Sequence, residues 1–174
     1  LQHSGDWFFH AGSGYHIIDG NAEGSVTHRR GTWRNCVDHV DYIDDPMEAD
    51  VFSLAIHHGI APRNATYAYA VVPGTDRPAA HGFRILANTP EVQAVTNTDG
   101  SIVYIVFYEK GEIDTPAGRY GAQQPCMMML RNGKLRVADP ARRYYLLKIA
   151  TPQGDKEIQI PTNSLAGTSV EVAF

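Results

Sequence analysis

The sequence predicts an all-β fold built as an antiparallel β-sandwich, and three observations carry that prediction. Apolar residues alternate with a period of two over most of the chain, and helical periodicity is scarce. Glycine (16) and proline (10) punctuate the apolar runs at short intervals, which suits short strands joined by turns. Asn132-Gly133 sits between two strand-like runs, the strongest short hairpin signal a sequence offers.

In chain order, "VFSLAIHH" places Phe52, Leu54 and Ile56 on one strand face and Val51, Ser53 and Ala55 on the other. "ATYAYAVV" is apolar or aromatic at every position and predicts a strand covered from both sides. "SIVYIVFYEKG" predicts the same, with Ile102, Tyr104 and Val106 opposing Val103, Ile105 and Phe107. "CMMMLRNGKLRVAD" predicts a hairpin, "RRYYLLKIATPQGDKEIQI" a second around Thr151 to Gly154, and "GTSVEVAF" a closing strand. One weak helical turn is expected near Pro78 to Gly82. A boundary is expected at "FRILANTPEVQAVTNT", separating 1–83 from 84–174.

Composition narrows the possible functions. The 174 residues are 43% hydrophobic and 20% charged, enough to bury a core and unlike a disordered chain. A net charge of −4 argues against a general nucleic-acid binder. No apolar run is long enough to span a bilayer as a helix. "LQHSGDWFFH" has neither an initiator methionine nor a signal peptide's pattern, and reads as a processed or trimmed piece. Cys36 and Cys126 fit no zinc or redox spacing. They are expected as buried free thiols, with one disulfide open if the protein is exported.

Read together and in order, "WFFHAGSGY", "RRGTWRN", "HHGIAPRNATYAYAVVPG", "ILANTPEVQAV", "LRVADPARR" and "LAGTSVEVAF" resemble the C-terminal third of polysaccharide lyase family 8. That family holds the chondroitin, hyaluronate and xanthan lyases, and the likeness is strongest to its bacterial chondroitin lyases. The most specific part is the series from Gly59 to Gly74. The resemblance implies the later part of a central sandwich (1–83) followed by a small C-terminal β-sandwich (84–174). It also implies secreted or periplasmic enzymes that cleave by β-elimination at a uronic acid, without a cofactor. In that family an asparagine, a histidine, a tyrosine and an arginine on an N-terminal helical toroid do the chemistry, helped by a glutamate early in the central sandwich. All of those positions precede this chain, so no catalytic residue is carried onto it. The implied partners are that helical catalytic domain and an acidic polysaccharide.

Several clusters invite a chemical reading. His57-His58 could ligate a metal or share a proton, yet strand neighbours point to opposite faces. The structural alternative is a strand end with one ring packed inward and the other in solvent. Asn64-Ala65-Thr66 is a glycosylation-type sequon, or a turn shaped by Pro62 and Asn64. Tyr67 and Tyr69 fall on one face and are expected as core or inter-sheet rings. "HRRGTWR" is the best candidate for touching an acidic sugar: Arg29, Arg30 and Arg34 offer forks for carboxylate or sulfate, and Trp33 an indole face for the ring. The alternative has Trp33 anchoring the sandwich while the arginines face water or pair with the acids of "DYIDDPMEAD". "PCMMML" is expected as core strand rather than a copper site. "DPARR" is expected to end a strand, Asp139 and Pro140 turning the chain and Arg142-Arg143 capping a solvated edge. Asp19, Asp38, Asp41, Asp44 and Asp45 match no calcium loop, and no metal ligand set is assigned.

Two functions compete. One is a non-catalytic β-rich portion of a glycosaminoglycan lyase, inactive alone and packed on a helical catalytic domain. The other is a free-standing carbohydrate-binding or adhesion module. An active site complete within these residues is a third.

Overall fold

The computed structural model describes residues 1–35, 37 and 45–172. It divides the chain into two compact units, Leu1–His81 and Gly82–Phe174, each made of antiparallel strands.

The first unit contains β1 (Gln2–Ser4), β2 (Trp7–His10), β3 (Ser13–Asp19), β4 (Asn21–Gly31), a 3-10 turn (Trp33–Asn35), β5 (Met47–His57) and β6 (Ala68–Pro73). A four-stranded sheet runs β1-β2-β3-β6, while β4 and β5 form a separate two-stranded ribbon paired over their full lengths. Strand parity gives the four-stranded sheet two different faces. Phe8, Tyr15 and Val71 lie in register on one face, and Trp7, His16 and Ala70 on the other. The ribbon covers the part of the first face around Phe8, His10 and Tyr15. Phe52 stacks on His10 with ring centroids 4.7 Å apart and tilts against Tyr15 at 5.2 Å. Ribbon and sheet approach closely because Gly24 lies under Phe8: a Cβ there would sit 2.6 Å from the Phe8 ring.

The second unit contains β7 (Phe83–Asn88), β8 (Val92–Asn97), β9 (Ile102–Phe107), β10 (Gly111–Thr115), β11 (Gly118–Ala122), β12 (Cys126–Arg131), β13 (Lys134–Ala138), β14 (Leu146–Thr151), β15 (Gly154–Gln159) and β16 (Val170–Val172). Its sheets are ordered β16-β13-β12-β9-β8-β7 and β10-β11-β14-β15. Alternate residues of both sheets meet in one core: Val103, Ile105 and Phe107 of β9, Met128 and Leu130 of β12, Leu135 and Val137 of β13, Leu147 and Ile149 of β14, and Ile113 and Tyr120 opposite. The Asn132-Gly133 hairpin forms as predicted, with both residues at positive φ (53° and 72°) between the paired Arg131 and Lys134. The predicted hairpin around Thr151–Gly154 and the closing strand also form.

Asp139 holds the turn after β13. Its carboxylate is 1% exposed and accepts backbone N–H bonds from Ala141 (3.0 Å), Arg143 (2.6 Å) and Tyr144 (2.8 Å). A buried carboxylate is tolerated there because three donors replace its water. Arg142 and Arg143 stay exposed in that turn. Cys126 is a buried free thiol whose pKa is pushed up to about 12 by burial and by the nearby Asp139. Cys36 lies outside the described residues, as do Asp38, Asp41 and Asp44.

Four expectations need correction. The sole helical element among the described residues is the turn Trp33–Asn35, and Pro78–Gly82 is irregular chain leading into β7. The strands around Tyr69 and Tyr104 are covered on one face only: Tyr67, Tyr69, Val71 and Tyr104 are about half exposed (54%, 50%, 50% and 49%). An unbroken apolar run does not report how many neighbouring layers are present, which is why both faces were read as covered. His57 and His58 are both exposed, so neither ring packs inward. Trp33 does not anchor the sandwich, because it sits on a one-turn projection beyond the end of β4.

Asp139→Ala should lower stability to urea by about 3 kcal/mol, since three buried donors lose a charged acceptor. In a Cys36→Ser background, Cys126 should resist alkylation from pH 7 to pH 9 in the folded chain and react promptly once denatured. The raised pKa leaves almost no thiolate in that window.

Candidate functional site

The ribbon sets where its charged side chains go. Cross-strand partners share a face, and the register pairs His28 with Asp50, Arg29 with Ala49 and Arg30 with Glu48. Arg30 and His28 therefore project from the face that covers Phe8 and Tyr15, and Arg29 from the opposite one. On the covering face the cations meet carboxylates: His28 Nδ1 lies 3.0 Å from Asp50, His28 Nε2 3.5 Å from Glu48, and Arg30 Nε 3.6 Å from Glu48. On the other face Arg29 Nε donates to Thr27 Oγ1 at 3.1 Å. Among the described residues no carboxylate pairs with Arg29 or Arg34.

Beyond β4 the chain turns sharply. Thr32 N–H donates to Asn35 Oδ1 at 2.8 Å, and Asn35 N–H returns a bond to the Thr32 carbonyl at 3.0 Å. This reciprocal brace carries Trp33 and Arg34 outward, leaving the indole 55% exposed. The four residues singled out in the sequence are thus divided. Arg29, Trp33 and Arg34 are exposed, whereas Arg30 is engaged with Glu48 on the other face.

A second feature lies at the base of the ribbon. Tyr15, Phe52, Leu54, Ile56, His58 and Tyr67, with Tyr69, line an open groove of about 520 Å³. Tyr67 and Tyr69 are held nearly parallel, 17° apart with centroids at 6.4 Å, and His58 tilts against Tyr67 at 5.8 Å. The turn before β6 is fixed as expected: Asn64 adopts positive φ (53°), as does Ala61 (51°), and Thr66 Oγ1 donates to Asp19 at 2.9 Å. His57 points away from the groove and sits 3.3 Å from Glu23. The adjacent histidines therefore have separate surroundings, and among the described residues no group of three or more His, Cys, Asp or Glu could hold a metal ion. Tyr15 and Phe52 were not legible as groove residues, because they meet only through the stacking of ribbon on sheet.

These are antiparallel β-sandwich domains. The sequence models for polysaccharide lyase family 8 match residues 1–83 as its super-sandwich domain and 84–144 as its C-terminal beta-sandwich domain. The chain belongs to polysaccharide lyase family 8. It is 30% identical to chondroitinase-AC of Pedobacter heparinus over 183 residues, covering 95% of this chain and 26% of that protein. It is 29% identical to a hyaluronate lyase of Thermasporomyces composti over 147 residues, covering 77% and 18%. A solved chondroitinase AC lyase superposes with a TM-score of 0.80 at 28% identity, over 95% of this chain and 27% of that one. A Paenibacillus xanthan lyase, at 18% identity and a TM-score of 0.76 over 91% and 18%, shares the fold. The chain thus spans about a quarter or less of the length of these relatives.

Glu48→Gln should change stability by less than about 1 kcal/mol, because its ion pairs are solvent-exposed. A urea titration reads this directly.

Proposed function

We propose that this chain is the non-catalytic β-rich portion of a lyase that cleaves glycosaminoglycans of the chondroitin or hyaluronan type by β-elimination at uronic acid. In this reading it packs against a helical catalytic domain of the same exported parent protein and contributes one wall of the polysaccharide cleft. The observation that carries the proposal is the match to chondroitinase AC lyase, which covers nearly all of this chain but 27% of that enzyme. The placement of the polar rings supports it. His57 is engaged with Glu23 on one ribbon face, while His58 sits beside Tyr67 on the other. Arg29, Arg34 and the projecting Trp33 supply the contact to acidic sugar, pairing guanidinium with carboxylate or sulfate and indole with a pyranose face.

The reading as a free-standing carbohydrate-binding module draws support from one specific observation, the groove with its parallel Tyr67 and Tyr69 rings. A single assay separates the two. Chondroitin or hyaluronan is incubated with this chain alone and with a longer polypeptide carrying the upstream helical region, and unsaturated uronate is followed in the ultraviolet. The lyase reading expects no turnover from the chain alone and turnover from the longer protein. Retention of the isolated chain on immobilised chondroitin, without turnover by the longer protein, would favour the binding module.

Within the longer enzyme, Arg29→Ala and Trp33→Ala should each raise KM severalfold while leaving kcat nearly unchanged, the pattern of lost substrate binding without lost chemistry.

A further inference from the structure

The face of the four-stranded sheet turned away from the ribbon carries a cluster that the proposed function does not use. Four rings form a continuous stack there. Phe9 and Trp7 lie 5.8 Å apart and 6° from parallel, Trp7 and His16 are 4.7 Å apart at 6°, and His16 and His81 are 5.0 Å apart at 29°. His81 is the last residue of the first unit. The segment from Thr75 to His81 returns across this face and touches β3 at two places. Thr75 packs so tightly over Gly14 that a Cβ there would lie 2.7 Å from its methyl carbon. His81 packs over His16, two residues further along the same face.

The surroundings of His16 suit a neutral ring. Its Nδ1 is buried without a hydrogen-bond partner, and its lateral neighbours on β2 and β6 are Trp7 and Ala70. The titratable groups acting on it are His81 from the returning segment and Asp6 from the turn before β2. Burial is the largest influence and His81 the next; both hold the His16 pKa below its ordinary value of 6.5, against a weaker opposing pull from Asp6. The sign follows from that direction. A histidine that binds its proton less readily when folded stabilises the fold fully above about pH 6.5. That contribution is lost as the pH falls toward and through the lowered value.

We propose that the stacked His16–His81 pair is an acid-released latch: neutral, it holds the segment joining the two units against β3, and protonated, it lets that segment go. Two neutral imidazoles can stack on each other and on an indole without charge. Two imidazolium rings in the same place repel, which is the sense in which His81 already disfavours the proton on His16. The Thr75–Gly14 contact is uncharged and persists, so release is local, beginning at His81. This inference does not depend on the lyase reading.

The test uses the whole 174-residue chain, carrying Trp33→Phe so that Trp7 is the sole indole. The histidine Cε1–H signals, the Trp7 emission and the exchange rates of the amides of residues 76–81 are followed from about pH 7.5 to about pH 4.5, the range in which histidines titrate. His16 should titrate below the ordinary range. Corrected for intrinsic exchange, protection of residues 79–81 should fall severalfold in step with quenching of Trp7, while the β12–β13 hairpin stays protected. His81→Phe keeps a stacking ring without a titrating group, and should retain protection at the acid end and move the His16 titration upward. The proposal is overturned if His16 titrates in its ordinary range, if His81→Phe loosens with acid as the parent does, or if protection falls equally across the whole first unit. Should His81→Phe fail to fold, the titration and exchange of the parent chain decide alone.

Discussion

A strand offers its side chains only two directions, and most of what this protein does follows from that constraint. In the first unit, one parity sends Phe8 and Tyr15 toward the ribbon and the other sends Trp7 and His16 toward the returning segment. The same rule separates Arg29 from Arg30, although the two are contiguous in sequence. In the second unit it delivers alternate residues of both sheets into one shared core. Contacts between layers then depend on whether backbones can approach, which Gly14 and Gly24 permit by lacking a side chain.

This explains what could be read from the sequence and what could not. Alternation and turn chemistry are local properties, so β5, β6, β9, β12 to β16, the Asn132-Gly133 hairpin and the turn at Asn64 were visible in short windows, whereas β1 to β4, β10 and β11 were not singled out. Exposure is not local. Tyr69 and Tyr104 lie in runs apolar at every position, and whether a second layer covers them depends on segments distant in sequence. Arg30 illustrates the same limit at the candidate site. Its engagement by Glu48 requires the ribbon register, which sets partners eighteen residues apart in the chain opposite each other. The exposed position of Trp33 comes from the Thr32–Asn35 brace, a side-chain bond that composition alone does not reveal.

The family assignment and the geometry bear on different parts of the problem. Kinship with chondroitinase AC lyase concerns nearly the whole chain but only a minor share of that enzyme, so what it says most directly is architectural. The geometry adds a division of labour within the first unit. The ribbon and its projecting turn present the cations and the indole, the groove presents aromatic and aliphatic surface, and the far face of the sheet carries the histidine stack.

The ribbon has a further consequence. Its two eleven-residue strands pair with each other and, among the described residues, with no other strand, so both outer margins present a row of backbone donors and acceptors. Such margins recruit foreign strands unless something repels them. Along this ribbon Glu23, His28, Arg29, Arg30, Glu48 and Asp50 place charge at short intervals, the kind of decoration that discourages edge-to-edge pairing. Erasing those charges would do little to the folded molecule itself and much to its behaviour in concentrated solution, where clumping would set in long before unfolding.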